Sequence, residues 1–96
     1  MVFYAVKTFS FIEDNSLLDY RTDAVFFDAI DAFNAIKWNE ADLSEGGMNK
    51  YVAILAVPTG IYPEGEEIAW FEWDESSESY VRCDRPDIFE GFGFTI

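Results

Sequence analysis

The sequence predicts a single α+β domain, residues 1–96, in which one helix packs on a mostly antiparallel four-stranded sheet in the order β-α-β-β-β. Three observations lead to this prediction. Half of the 96 residues are hydrophobic, which is enough for one core. Several short stretches are rich in β-branched and aromatic residues and end in turn residues. One longer stretch, residues 24–38, has apolar residues at helical spacing.

The strands follow from the apolar stretches and the polar turns between them. Residues 51–57 (YVAILAV) are apolar on both faces, so we expect this strand in the centre of the sheet. Residues 17–21 are expected to be a connection, and residues 84–96 an apolar C-terminal tail. The predicted strands cover residues 2–12, 51–57, 67–74 and 79–83.

The predicted helix carries two different stripes. Thr22 or Asp23 is expected to cap it. At 100° per residue, the core-facing arc holds Val25, Phe26, Ala29, Ile30, Phe33 and Ile36. A second stripe runs along one flank and holds Phe27, Asp31, Asn34 and Trp38.

Three explanations of the second stripe stay open at this point. The apolar tail, with Phe89, Phe92 and Phe94, would cover it if the tail docks there. A binding partner would use it if it is exposed, because exposed aromatic patches mark interaction sites. Self-association of the chain through the same stripe, as a homodimer, is the third explanation.

The charge of the chain restricts its partners. Nineteen acidic residues against six basic ones and no histidine give a net charge of −13. Direct binding to nucleic acid is disfavoured, because such binding relies on Lys and Arg neutralising phosphates, and anionic membranes are disfavoured for the same reason. A charge of this size exceeds the roughly 2–8 that solubility requires in a small domain. We therefore expect a basic protein surface as the partner. The alternative is that the acidic charge only keeps the protein soluble.

Residues 64–80 (EGEEIAWFEWDESSESY) combine rings with carboxylates and contain no positive charge. Strict alternation puts Trp70 on one face and Trp73 on the other, so at least one tryptophan faces away from the helix. A tryptophan among carboxylates can stack on an arginine while the acids pair with it. The candidate binding residues on this hairpin are Glu64, Glu66, Glu67, Trp70, Glu72, Trp73, Asp74, Glu75 and Glu78.

A weaker clue comes from the spacing of carboxylate pairs. Alternate strand residues lie about 6.6 Å apart and helical neighbours about 5–6 Å apart, close to two phosphate steps of a duplex strand. The pairs Glu72/Asp74 on the strand and Asp28/Asp31 on the helix therefore have the spacing of a phosphate ladder. The helix candidates for partner binding are Phe27, Asp28, Asp31 and Trp38.

Catalytic and metal-binding patterns are missing from the sequence. Without histidine there is no imidazole base, and Cys83 alone makes neither a disulfide nor a structural zinc site. No phosphate-binding glycine loop or EF-hand loop occurs. We therefore expect a non-enzymatic protein without a cofactor. The start of the chain has no signal-peptide pattern, and no apolar run is long enough for a membrane span, so we expect a cytoplasmic location.

In size, charge, single cysteine and mixed fold, the chain resembles small acidic inhibitors encoded by phages, namely anti-CRISPR proteins and other DNA mimics. The likeness rests on these overall properties, and no functional residue is carried over from it. It implies an inhibitor that occupies a nucleic-acid site on a basic host complex in the host cytoplasm. Two alternatives stay open: an immunity protein that neutralises a basic nuclease toxin, and an acidic interaction module without mimicry.

Overall fold

The computed structural model describes residues 2–11, 17–59 and 65–90, with the backbone alone at positions 17 and 18. One helix lies on a sheet of five antiparallel strands in the spatial order β2-β1-β3-β4-β5. The α+β class and the central place of the 51–57 strand are confirmed. The elements in chain order are β1 (Val2–Phe11), β2 (Leu17–Phe26), α1 (Ala29–Lys37), β3 (Asn49–Pro58), β4 (Glu66–Asp74) and β5 (Ser79–Cys83).

The prediction of four strands in the order β-α-β-β-β is wrong, because Leu17–Phe26 is a strand and not a connection followed by helix. It pairs along the length of β1, with a register shift that leaves Asp23 between the paired residues Thr22 and Ala24. Ala24 and Phe26 then pack under the helix. Apolar residues at 24–26 fit a helical arc as well as a strand, and the long-range pairing with β1 decides between the two.

Helix α1 is therefore shorter than predicted. Asp28, not Thr22 or Asp23, caps it, and its side chain accepts a 2.9 Å hydrogen bond from the Ile30 backbone N–H. The helix buries Ala32, Ala35 and Ile36 against the sheet, whereas Ile30 is 67% exposed. The predicted core arc is thus wrong at Ile30 and at Val25, which is 51% exposed on β2, because the arc was drawn from a helix that began five residues too early.

Each face of the sheet carries a separate core. The core on the helix side contains Val6, Ala32, Ala35, Ile36, Leu43, Val52, Ile54, Ala69, Phe71 and Tyr80. The core on the other side contains Ala5, Phe9, Ala53, Leu55, Val57, Trp70 and Phe89. Among the described residues, no helix is long and apolar enough to cross a lipid bilayer.

The start of the predicted tail docks on the face away from the helix. A short 3-10 turn, Asp87–Phe89, brings the Phe89 ring to 4.7 Å from the ring of Phe9 and 5.0 Å from that of Trp70. Phe89 therefore does not cover the helix stripe. Phe92 and Phe94, the other tail residues considered for that role, lie outside the described residues.

Candidate protein-binding surface

The two tryptophans of β4 have different environments. Trp70 faces away from the helix, as expected for at least one of them, but it is only 4% exposed because the rings of Phe9 and Phe89 cover it. Trp73 lies on the helix side, where its ring meets that of Tyr80 edge to face at 5.0 Å, and it stays partly exposed. Trp70 is thus a core residue, and Trp73 is the tryptophan that a partner can reach.

A β-bulge moves Glu67 to the face of Trp70, contrary to the alternation predicted for β4. Leu55 pairs with Glu67 and Ile54 with Ala69, so Ile68 is the extra residue that shifts the alternation by one. Trp70 Nε1 donates a 2.7 Å hydrogen bond to Glu67 Oε1, and Arg85 Nε donates to the same oxygen at 2.8 Å. Glu67 therefore stabilises the fold and contributes little free charge to a binding surface.

Two loops meet beside Trp73 and form an acidic cleft of about 490 Å³. The loop between α1 and β3 forms one wall, and the turn between β4 and β5 forms the other. No Lys or Arg of the described residues lines this cleft. Its lining residues are Asn39, Asp42, Ser44, Gly46, Trp73, Glu75 and Glu78.

A second cleft of about 320 Å³ shares Asp42 with the first and adds Glu40 and Glu45 to its walls. Arg21 partly neutralises this cleft, since it forms ion pairs with Asp23 at 2.6 Å and with Glu45. The two clefts together bring Glu40, Asp42, Glu45, Glu75 and Glu78 to the same end of the sheet. This set is called the acidic end below.

The loop between α1 and β3, which carries three of the five carboxylates of the acidic end, is held in place by polar contacts. Asn39 Oδ1 accepts a 2.8 Å hydrogen bond from the Ser44 N–H, and the buried Ser44 hydroxyl bonds Asp42 Oδ1 at 3.0 Å. Asn49 Nδ2 donates to the Leu43 carbonyl at 2.8 Å. These bonds offset the cost of left-handed backbone conformations at Asn39, Ala41, Asp42 and Glu45, about 1 kcal/mol or more per residue.

Asp74 organises the turn on the opposite wall. Its carboxylate accepts hydrogen bonds from the Ser76 hydroxyl at 2.7 Å, the Ser76 N–H at 3.0 Å and the Ser77 hydroxyl at 3.0 Å. These hydrogen bonds lower the pKa of Asp74, and the bond from the Ser76 hydroxyl has the largest effect. Asp74 therefore shapes the turn that carries Glu75 and Glu78.

The remaining candidates on the hairpin do not form one site. Glu72 lies opposite Val81 on β5. Burial is the main cause that raises the pKa of Tyr51 and of Cys83, and the negative charge of Glu72 adds to both shifts. Glu66 is exposed at the far end of β4. Glu64 lies outside the described residues. Of the hairpin candidates that the structure describes, only Trp73, Glu75 and Glu78 line the acidic cleft.

None of the helix candidates lines that cleft. Phe27 and Trp38 are 79% and 68% exposed, and Asp31 is exposed as well. Asp28 is exposed but its carboxylate caps the helix, so the Asp28/Asp31 pair does not present two equivalent charges. Phe27 precedes the helix and is not part of a helical stripe.

The prediction from sequence missed Glu40, Asp42 and Glu45. The sequence carries a signal for them, since three carboxylates and a Gly-Gly pair occur within residues 40–47, only a few residues after the helix ends. Their proximity to the 75–78 turn depends on the pairing of β3 with β4.

Comparison with protein-family models, curated proteins and solved structures finds no match for this chain. Among the described residues, no group of three or more Cys, Asp or Glu is arranged to hold a metal ion.

Proposed function

We propose that this chain is an inhibitor that binds a basic nucleic-acid-binding protein or complex through its acidic end and blocks the nucleic-acid site of that partner. The proposal extends to the anti-CRISPR type of phage protein, which acts in the host cytoplasm. The observation that carries it is the convergence of five carboxylates from two separate loops at one end of the sheet, three of which line the cleft beside the partly exposed Trp73.

Electrostatics supports this proposal. Of the five carboxylates in the acidic end, only Glu45 forms an ion pair with another described residue. Like charges held together repel each other and destabilise the fold, and this cost is recovered when a cationic partner binds. Glu75 and Glu78 would pair with arginine side chains that otherwise contact phosphates, and the Trp73 ring offers a face for stacking.

The first experiment identifies the partner. The full chain, carrying an affinity tag, is used to capture proteins from a bacterial lysate that contains an active CRISPR surveillance complex. Capture of that complex supports the proposal in its anti-CRISPR form. Capture of a single basic nuclease instead supports the immunity-protein alternative, and capture of neither contradicts the proposal for that host.

The second experiment locates the site and uses the captured partner. The double variant Glu75→Lys/Glu78→Lys should weaken binding at least tenfold, because broken charge pairs at an interface cost about 2–5 kcal/mol. The control variant Asp84→Lys/Glu90→Lys changes the net charge equally at exposed positions outside the clefts, and it should weaken binding about threefold or less by reduced steering. Equal losses would contradict a focused site.

Competition with nucleic acid separates site blocking from simple binding. A labelled nucleic acid bound to the partner should be displaced by the chain, and the association rate of the chain should fall steeply as salt rises. Formation of a ternary complex would exclude mimicry and leave the acidic interaction module as the function. Binding that does not change with salt would mean that the charge serves solubility alone.

A further inference from the structure

The second cleft of the acidic end already holds a cation that belongs to the chain itself. All six Lys and Arg residues of the chain are described, and Arg21 is the only one of them that lines either cleft. Its guanidinium uses two different nitrogens, since Nε donates to Asp23 Oδ1 at 2.6 Å and Nη2 donates to Glu45 Oε1. Arg21 thus joins strand β2 to the loop between α1 and β3.

The carboxylate on the strand side of this bridge is held from behind. Asp23 Oδ2 accepts a 2.7 Å hydrogen bond from the hydroxyl of Thr8, which is 1% exposed. Asp23 therefore has one oxygen bonded to the sheet and the other to Arg21. A guanidinium presents several donors in a rigid plane, which suits it to bridging two carboxylates, whereas a lysine ammonium offers a single nitrogen. The second cleft is thus built around an arginine side chain.

The acidic cleft differs from the second cleft because no cation of the described residues lines it. Asp42, Glu75 and Glu78 line it beside the partly exposed Trp73, and none of these three carboxylates forms an ion pair with another described residue. A cation that approaches the acidic end therefore meets three uncompensated carboxylates in one cleft. In the other cleft it meets a guanidinium that repels it.

We propose that Arg21 selects the cleft in which a cation of the partner binds. It closes the second cleft to a further cation and so directs an arginine side chain of the partner to the acidic cleft. This inference rests on the proposed function and adds which cleft receives the arginine. Arg21 acts through Glu45, which it keeps engaged, and is therefore a positioning residue. Glu45 contributes little to partner binding as long as Arg21 is present.

A small probe tests this selection without any partner. N-acetyl-arginine amide, a single capped arginine, is titrated into the ¹⁵N-labelled full chain and followed by NMR. It should bind with a dissociation constant on the order of millimolar, because one arginine makes few contacts. In the wild type, the indole N–H signal of Trp73 and the backbone signals of Glu75 and Glu78 should shift, whereas that of Glu45 should not.

Variants of Arg21 should change this pattern in opposite ways. In Arg21→Ala the Glu45 signal should shift as well, because the second cleft is then open to the probe. Arg21→Lys keeps the positive charge and should retain the wild-type pattern. Lys50→Ala is the control, since it removes the same charge outside both clefts and should also retain that pattern. Exposed ion pairs contribute little to stability, so Arg21→Ala should fold, and its NMR spectrum confirms this.

The captured partner provides a second test, in the form of a double-mutant cycle. In the wild type, Glu45→Gln should change the affinity about twofold or less, whereas Glu78→Gln should weaken binding about fivefold or more. In the Arg21→Ala background, Glu45→Gln should weaken binding about fivefold or more, because Glu45 is then available to a cation of the partner. Arg21→Ala alone should bind more tightly than Lys50→Ala, which has the same net charge.

Three outcomes would overturn the selection by Arg21. The first is a wild type in which the probe shifts the Glu45 signal as strongly as that of Glu78, and the second is a probe that shifts neither signal. The third is a Glu45→Gln variant of the wild type that binds the partner as weakly as Glu78→Gln does. The proposed function fails by a different result, namely a Glu75→Lys/Glu78→Lys variant that binds the partner as tightly as the wild type.

Discussion

The Tyr80 hydroxyl donates a 2.7 Å hydrogen bond to the backbone carbonyl of Asn49. Tyr80 lies on β5 and Asn49 begins β3, so the bond spans the intervening strand β4. Both residues are buried. Asn49 comes directly after the loop between α1 and β3, and Tyr80 lies at the start of β5, just after the β4–β5 turn. The bond therefore links the ends of the two segments that carry Asp42 and Glu78.

Removing the Tyr80 hydroxyl should destabilise the chain. Tyr80→Phe keeps the ring against Trp73 but leaves the buried Asn49 carbonyl without this donor. We expect the free energy of unfolding to fall by about 1–2 kcal/mol, measured by urea denaturation at neutral pH. An unchanged value would show that the hydrogen bond adds nothing to stability.

The same residue gives the stability a pH dependence. Burial, and to a smaller extent nearby Asp23, raises the pKa of Tyr80 above its ordinary value of 10.0. The stability that this residue contributes is therefore fully present below pH 10 and is lost as pH rises above it toward the raised pKa. The stability difference between wild type and Tyr80→Phe should shrink above pH 10. Taking this difference cancels the contributions of Tyr51 and Lys7, and a constant difference would contradict the prediction.

Two adjacent glycines in the acidic loop should respond differently to substitution by alanine. A Cβ at Gly47 would clash with Trp73, because it would lie 2.9 Å from Trp73 Nε1. The φ of +93° at Gly47 adds a backbone cost for any other residue. Gly46 has a φ of +71° but nothing within 4 Å of a Cβ. We expect Gly46→Ala to cost about 1 kcal/mol and Gly47→Ala about 2–3 kcal/mol in urea denaturation. Equal costs would mean that Trp73 moves away freely.

Docking of the C-terminal segment should contribute much of the stability on the sheet face opposite the helix. Phe89 is 1% exposed among Phe9, Trp70 and Tyr51. We expect Phe89→Ala to lower the free energy of unfolding by about 3–5 kcal/mol. The neighbouring Ile88 is exposed, so Ile88→Ala should change it by about 0.5 kcal/mol or less. Similar values for the two would place Phe89 outside the core.

Two tryptophans provide a matched contrast between surface and core. Trp38→Ala should change the free energy of unfolding by about 1 kcal/mol or less, because the side chain is largely exposed. Trp70→Ala should lower it by about 3–5 kcal/mol, since it empties a site between Phe9 and Phe89. Thermal and urea denaturation check both. A loss of several kcal/mol at Trp38 would show that the residue is covered in solution.

The β4–β5 hairpin could be predicted from the sequence almost to the residue. Strands were expected at 67–74 and 79–83, and they form at Glu66–Asp74 and Ser79–Cys83. The signal is local, because apolar and aromatic residues surround a polar turn in which Asp74 bonds Ser76 and Ser77. The face on which each β4 side chain lies was less predictable, because the bulge at Ile68 shifts the alternation by one residue. Only the pairing of β4 with β3 reveals this bulge.

The sequence by itself determined the composition that any fold of this chain must accommodate: a net charge of −13, one cysteine, no histidine, and enough apolar residues for a packed α+β domain. The tertiary structure decided that residues 17–26 join the sheet, that Trp70 is buried while Trp73 is partly exposed, and that Asp42 lines one cleft with Glu75 and Glu78. The physical reason is that charge and hydrophobicity are properties of single residues. Which residues meet depends on strand pairings between distant parts of the chain, which local periodicity does not encode.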